Sequence, residues 1–196
     1  MKGRLRVGLV LSGIILLCSL GDVFGAVLLK PGKALERMLP GAEKVIKEAK
    51  TLSVDQKKLI LKTGKWKTVK DNYSFYVGKS KGETTGVALI IDEPGKHNKI
   101  RIIVGMEPDG KVKDVAVMAH VEKRGGAIKE RRFLKQFIGK SSKDPIMVGK
   151  DIDGVTKATV SCRAVGVAVK KAVNLYDVLY LRAQEAPAAK QDQEAE

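Results

Sequence analysis

The chain reads as an α+β protein: an antiparallel twisted sheet packed with helices, closed by a C-terminal helix. Three observations predict this class. The spacing of apolar residues changes from helical to period two after Trp66. Two alternating runs are then joined through Pro108-Asp109-Gly110, a strong hairpin signal. After Thr156 the spacing becomes helical again and stays so to Leu179.

Residues 30–62 read as short helices, broken at Pro31-Gly32 and at Pro40-Gly41. Ala34, Leu35, Met38 and Leu39 make one apolar face; Ala42, Val45, Ile46 and Ala49 make a second. Ser53 is placed to cap a third segment containing Val54, Leu59 and Ile60. In the sheet region Tyr73, Phe75 and Val77 alternate with polar neighbours. The run from Gly86 to Ile91 is continuously apolar and predicts a central strand. Lys99 to Met106 and Lys111 to Val121 alternate on either side of the Asp-Gly turn, giving a sheet of about four or more strands. Val121 to Gly126 leaves the sheet. Its adjacent glycines, Gly125 and Gly126, suit either a pocket-lining loop or a plain turn. Glu130 to Ile138 reads as a short helix carrying Phe133, Leu134 and Phe137, ended by Gly139.

The last helix expects Thr156 as its N-cap, with Lys157, Ala158 and Thr159 as its first three residues. Val165, Ala168, Val169, Ala172, Val173, Tyr176 and Leu179 then fall on one face. Thr159 would lie in the first turn, where free backbone N–H groups and the helix dipole favour an anion. From the residues alone, an ordinary helix start with Asp and Thr capping is the favoured reading.

The composition bounds the partners. In 196 residues, 44% hydrophobic and 30% charged, one domain plus appendages is expected, with a real core. A formal net charge of +15 fits nucleic acid, a membrane surface or a solvated exterior. The lysines are spread along the chain, and four Phe, four Tyr and one Trp are too few to interleave with them as base-stacking platforms. Nucleic acid is therefore not the expected partner. Two histidines and two cysteines, without CxxC or zinc-type spacing, give no metal site. Cys162, early in the last helix, reads as a small core residue.

Lys2, Arg4 and Arg6 precede an apolar run from Val7 to Leu20, with small residues near Ala26. That is the pattern of a secretory signal. The run is shorter than the roughly 20 residues of a spanning helix, but Val7 to Leu29 could span with Asp22 at the interface. Residues 1–25 are thus a cleaved signal or a retained anchor, and either places the rest of the chain outside the cytoplasm. The expected plan continues with a helical segment at 26–64, the main domain at 65–182 and a disordered Ala-, Gln- and Glu-rich tail at 183–196.

Asp153-Gly154-Val155-Thr156-Lys157-Ala158-Thr159 resembles the flavinylation motif D-x-x-[ST]-G-A-T of the FMN-binding domain family. That family includes the G subunit of the Rnf electron-transport complex and the C subunit of the sodium-pumping NADH:quinone oxidoreductase. The resemblance implies FMN carried as a phosphoester on Thr159, installed by a flavin transferase from FAD with a divalent metal, with Asp153, Thr156 and Ala158 completing the motif. His120-Val121-Glu122 with Gly125-Gly126, and the helix after it, is similar to the family's His-x-Glu-Thr-Pro-Gly loop. The resemblance extends from residue 30 to about 180 and makes His120, Glu122, Gly125 and Gly126 candidate flavin contacts. Two departures stand out: Lys157 replaces Gly in the motif, and Lys123-Arg124 replaces Thr-Pro in the loop. At the first helical position Lys157 needs only helical φ, and its charge could help hold a phosphate.

The function implied is that of an exported or membrane-anchored flavoprotein. It would pass electrons between membrane redox partners, as a redox-chain component rather than a stand-alone enzyme. The alternative is a basic, non-catalytic exported module that grips anionic lipid or polymer, with a degenerate flavin site.

Overall fold

The computed structural model describes residues 27–64, 66, 69–121 and 125–183. The export segment at 1–25, Glu122, Lys123-Arg124 and the tail beyond Ala183 lie outside these residues. In chain order the elements are α1 (Pro31–Met38), β1 (Lys44–Thr51), α2 (Val54–Gly64), β2 (Asn72–Ser80), β3 (Glu83–Pro94), β4 (Lys99–Met106), β5 (Val112–Ala119), α3 (Arg131–Leu134) and α4 (Thr159–Tyr176). The five strands form one sheet in sequence order, with every neighbouring pair antiparallel. No helix among the described residues is long and apolar enough to cross a membrane.

The alternating runs became strands because each offers one apolar face per period of two. β3 and β4 are buried on both faces, which explains their nearly continuous apolar sequence. Between β4 and β5 the Gly110 N–H donates to Glu107 O at 2.9 Å, and Gly110 takes φ 84°, which a glycine adopts freely. Ser53 caps α2 as expected.

One expectation fails. Ala42, Val45, Ile46 and Ala49 have helical spacing, but Lys44–Thr51 is the edge strand β1, paired with β2 from Lys44↔Lys79 to Thr51↔Asn72. Val45 is 40% exposed, so the supposed helical face buries little. β-branched residues and a free sheet edge outweigh a four-residue coincidence of spacing.

The sheet is covered on both faces. On one, Val165, Ala168, Val169, Ala172 and Val173 of α4 pack against Phe75, Leu89, Ile102, Val104 and Val115. Each such valine contributes about 1.5–3 kcal/mol when fully buried. Lys171 of α4 reaches the buried Glu93 of β3 and fixes the helix along the sheet. On the other face Ala34, Met38 and Leu39 pack on Ala88, Ile103, Ala116 and Met118. Here Gly105 permits the approach, since a Cβ on it would lie 3.0 Å from Met38 Cβ. Asp114 of β5 accepts from Arg37 of α1 at 2.8 Å and from Arg131 of α3 at 2.7 Å. That shared carboxylate ties α1 and α3 to β5.

Candidate functional site

The segment before α4 is held at three successive points. At the first, the Asp151 carboxylate accepts from the N–H of Met147 at 2.7 Å, from the N–H of Ile146 at 3.1 Å and from Lys140 Nζ at 2.8 Å. Burial alone would raise the Asp151 pKa, but the Lys140 ammonium and the two backbone donors outweigh it and hold the carboxyl below its ordinary value. At the second, Gln136 brackets Asp153: the Asp153 N–H donates to Gln136 Oε1 at 2.8 Å, and Gln136 Nε2 donates to Asp153 O at 3.3 Å. The side-chain amide imitates a strand neighbour. At the third, the Val155 N–H donates to Cys162 Sγ at 3.4 Å. Cys162 is fully buried, and burial pushes its thiol pKa up, so it is a packed anchor rather than a nucleophile.

The turn into α4 differs from the expectation. The Ala158 N–H donates to Val155 O at 3.0 Å, closing a turn whose third residue, Lys157, has φ 67°. A turn with positive φ there favours glycine. Helical φ is not what position 157 requires, and the glycine of the resembled motif has a steric reason. The helix proper begins at Thr159, with Ala158 as N-cap, so Thr156 lies in the turn and is not the cap.

This arrangement leaves donors over. The first helical bond runs from the Cys162 N–H to Ala158 O at 2.9 Å, and no side chain caps the helix. Among the described residues, the N–H groups of Thr159, Val160 and Ser161 have no acceptor. Thr159 is exposed and stands at the head of these donors. Beside the turn is a cleft of about 580 Å³ lined by Arg132, Lys135, Gln136, Asp153 and Thr156. Orphan amides and a positive helix end form a donor set for a phosphate ester; the cleft, whose lining stops at Thr156, adjoins them, and of its two cations Arg132 is paired with Glu130 at 2.7 Å.

The remaining candidates are partly brought together. Ala158 is buried, while Asp153, Thr156 and Lys157 are exposed. His120 follows β5 and is half-buried. Gly125 and Gly126 open a short 3-10 turn, Gly125–Lys129, that packs on β5, α3 and α4. The loop therefore ends against the helix that begins at Thr159. A Cβ on Gly126 would meet nothing within 4 Å, so close packing within the protein does not explain that glycine. Sequence reasoning missed Gln136 and Arg132. No local pattern marks a helix side chain that will bind backbone 17 residues later.

A sequence profile described as the FMN-binding domain matches residues 95–174. Residues 95–174 belong to the FMN-binding domain family. The matched stretch runs from the β3–β4 turn to the last turns of α4 and contains the whole motif. Among similar curated proteins is the G subunit of the ion-translocating oxidoreductase complex of Vibrio cholerae, 36% identical over 110 residues, covering 50% of this chain and 53% of that one. The corresponding protein of Aliivibrio fischeri is 35% identical over 113 residues, covering 52% and 54%. The G subunit of the proton-translocating ferredoxin:NAD(+) oxidoreductase complex of Clostridium ljungdahlii is 30% identical over 123 residues, covering 59% and 66%. The chain spans about half the length of most of these relatives. Among solved structures, NqrC of Shewanella oneidensis superposes with a TM-score of 0.50 at 21% identity, over 76% of this chain and 74% of that one. It shares the α+β fold.

The donor set fits FMN. The unpartnered amides of Thr159, Val160 and Ser161 match its phosphate.

Proposed function

We propose that the chain is an electron-transfer flavoprotein that holds FMN through a phosphoester on Thr159. It would work on the extracytoplasmic side of a membrane, secreted or anchored through residues 1–25, in a membrane-associated redox chain. The observation that carries this reading is Thr159 itself: an exposed hydroxyl on the first residue of α4, at the head of three unpartnered amides, closing the resembled motif. The names of the similar G subunits support a place among membrane redox partners.

When bound, FMN supplies one- or two-electron transfer. The chain supplies placement and charge. In the attachment step the Thr159 hydroxyl oxygen forms a bond to the flavin-side phosphorus of FAD. The pyrophosphate bond breaks, AMP leaves, and the hydroxyl proton passes to a base of the flavin transferase or to water. Throughout this exchange the amides of Thr159, Val160 and Ser161 are positioned to receive phosphate oxygens. Gln136 and Asp151 hold the loop that precedes the exposed Thr159. Arg132 and Lys135 supply positive charge along the adjoining cleft.

The test is intact mass with in-gel flavin fluorescence, with and without a coexpressed transferase. The expected result is one FMN phosphoester added to the wild type and none to Thr159→Ala. An unmodified wild type, or a modified Thr159→Ala, would overturn attachment at Thr159.

A further inference from the structure

A second cleft, of about 700 Å³, runs along α4 beyond its first turn, between the end of α2 and the loop at 142–150. It shares no lining residue with the cleft beside Thr156. Its apolar lining is Trp66, Ile146, Val148 and Val167, with Met147 beside them and 57% exposed. Gly166 also lines it, in the middle of an 18-residue helix. Inside a helix a glycine is destabilising relative to alanine. Packing does not require it here: a Cβ would stand 3.5 Å from Ile146 O and 3.9 Å from Val148 Cγ2, which is ordinary contact. What the glycine does is keep the cleft open. The edge of the cleft is basic. Lys143, Lys150 and Arg163 are exposed and enter no ion pair among the described residues. Asp144, the one acid among the described residues of the lining, is engaged by Ser141, whose N–H and Oγ donate to its carboxylate at 2.8 and 2.9 Å. Lys170 donates to Ser142 O at 2.7 Å and to Asp144 O, and so ties the loop to the helix.

We propose that this cleft binds one amphipathic anion, an aliphatic chain ending in a carboxylate. The chain would lie against Ile146, Val148, Val167 and Trp66, over the space that Gly166 leaves open. The carboxylate would stand among Lys143, Lys150 and Arg163. Burial of the chain supplies most of the affinity, and the cations fix which way the ligand lies. Apart from Trp66 the apolar lining is aliphatic, and the cations are gathered at its edge, so a flexible chain with one terminal acid meets both. A neutral lipid would leave the three cations without a partner. A small anion would leave the apolar lining in water. The proposal does not depend on flavin, since no residue of the motif at 153–159 lines the cleft.

The experiment titrates full-length protein, made without transferase, with laurate held below its micelle concentration. Equilibrium dialysis gives the stoichiometry, and the fluorescence of Trp66, the chain's one tryptophan, reports on the cleft. The expected result is one laurate per chain with a saturable change in Trp66 emission. Gly166→Leu fills the cleft and should weaken binding about tenfold or more. Gly166→Ala adds a Cβ in ordinary contact and should stay within about twofold of wild type. Both replacements favour a helix over glycine, so both variants should fold, which urea midpoints check. Lys150→Gln combined with Arg163→Gln should bind laurate about tenfold more weakly in low salt and dodecanol, its neutral counterpart, as wild type does. High salt should narrow the difference for laurate. The proposal is overturned if laurate binding does not saturate, if Gly166→Leu binds as wild type does, or if wild type binds dodecanol as tightly as laurate. Binding to vesicles of anionic phospholipid with no response to monomeric laurate also overturns it, and makes the cleft part of a membrane-docking face.

Discussion

At the start of α2 the Gln56 N–H donates to Ser53 Oγ at 3.2 Å, and the Ser53 N–H donates to Gln56 Oε1 at 2.9 Å. At the start of α4 the N-cap is an alanine, no side chain caps the turn, and a left-handed lysine precedes it. The first is a complete capping box, with both ends of the Ser-x-x-Gln signature in place. The second gives up that local stabilisation, worth about 1 kcal/mol per cap. A helix that merely had to begin would have been served as α2 is. α4 instead carries the larger core and starts without self-satisfied donors, and the loop before it is held by Gln136, by Asp151 and by Cys162 of α4 itself. Its start is rigid because neighbouring elements fix it, and its amides remain available.

The largest effect should come from breaking that external support. Gln136→Ala removes both hydrogen bonds to the Asp153 backbone and should destabilise the protein by about 2 kcal/mol, at about 1 kcal/mol per bond. It should also lower FMN incorporation, because the loop no longer presents Thr159 in one conformation. Urea midpoints and intact mass measure the two effects separately. If stability falls with incorporation unchanged, Gln136 supports the fold and not the site.

The amides of α4 were legible as a motif but not as geometry. The residues from Asp153 to Thr159 pointed to an anion at a helix start, and the resemblance identified the anion as a flavin phosphate. The local register was not visible, because threonine is a sound N-cap and nothing nearby announces that Lys157 adopts positive φ. Gln136 lay out of reach of any pattern, since its meaning depends on α3 docking beside the loop. In the fold, the strands β2 to β5 could be read from alternation and the Asp-Gly turn. β1 could not. Lys44 and Lys47 are exposed along a sheet edge, its apolar residues happen to recur at helical spacing, and its partly covered side is finished by distant groups. Tyr180 donates to Glu48 there, and Lys50 lies over the Tyr180 ring.

A smaller effect, with a pH signature, is expected at Asp151. Its carboxylate gathers the Met147 and Ile146 amides and Lys140, so Asp151→Asn should cost about 1.5 kcal/mol at pH 7, as for hydrogen bonds to a charged group. The folded-state pKa is depressed, so this contribution is present above the unfolded carboxyl value near 4 and is lost as pH falls through the lower folded value. Wild type and variant should therefore differ in chemical denaturation at pH 7 and converge at acid pH. A difference that grew on acidification would contradict the ion pair with Lys140.

The smallest expected effect is at α2 and completes the contrast. Ser53→Ala removes the acceptor for the Gln56 N–H and leaves the Gln56 side chain without its reciprocal partner. The cost should be about 1 kcal/mol. Incorporation of FMN should not change, because this cap lies at the opposite end of α2 from Thr63 and Gly64, which border the loop before α4. The paired measurement is a urea midpoint and an intact mass on the same preparation, beside Gln136→Ala. If both variants lose flavin in proportion to lost stability, incorporation reports the folded fraction and the uncapped start of α4 has no special role. If only Gln136→Ala loses flavin beyond its loss of stability, the two helix starts serve different ends: α2 spends its donors on its own fold, and α4 keeps them for the phosphate.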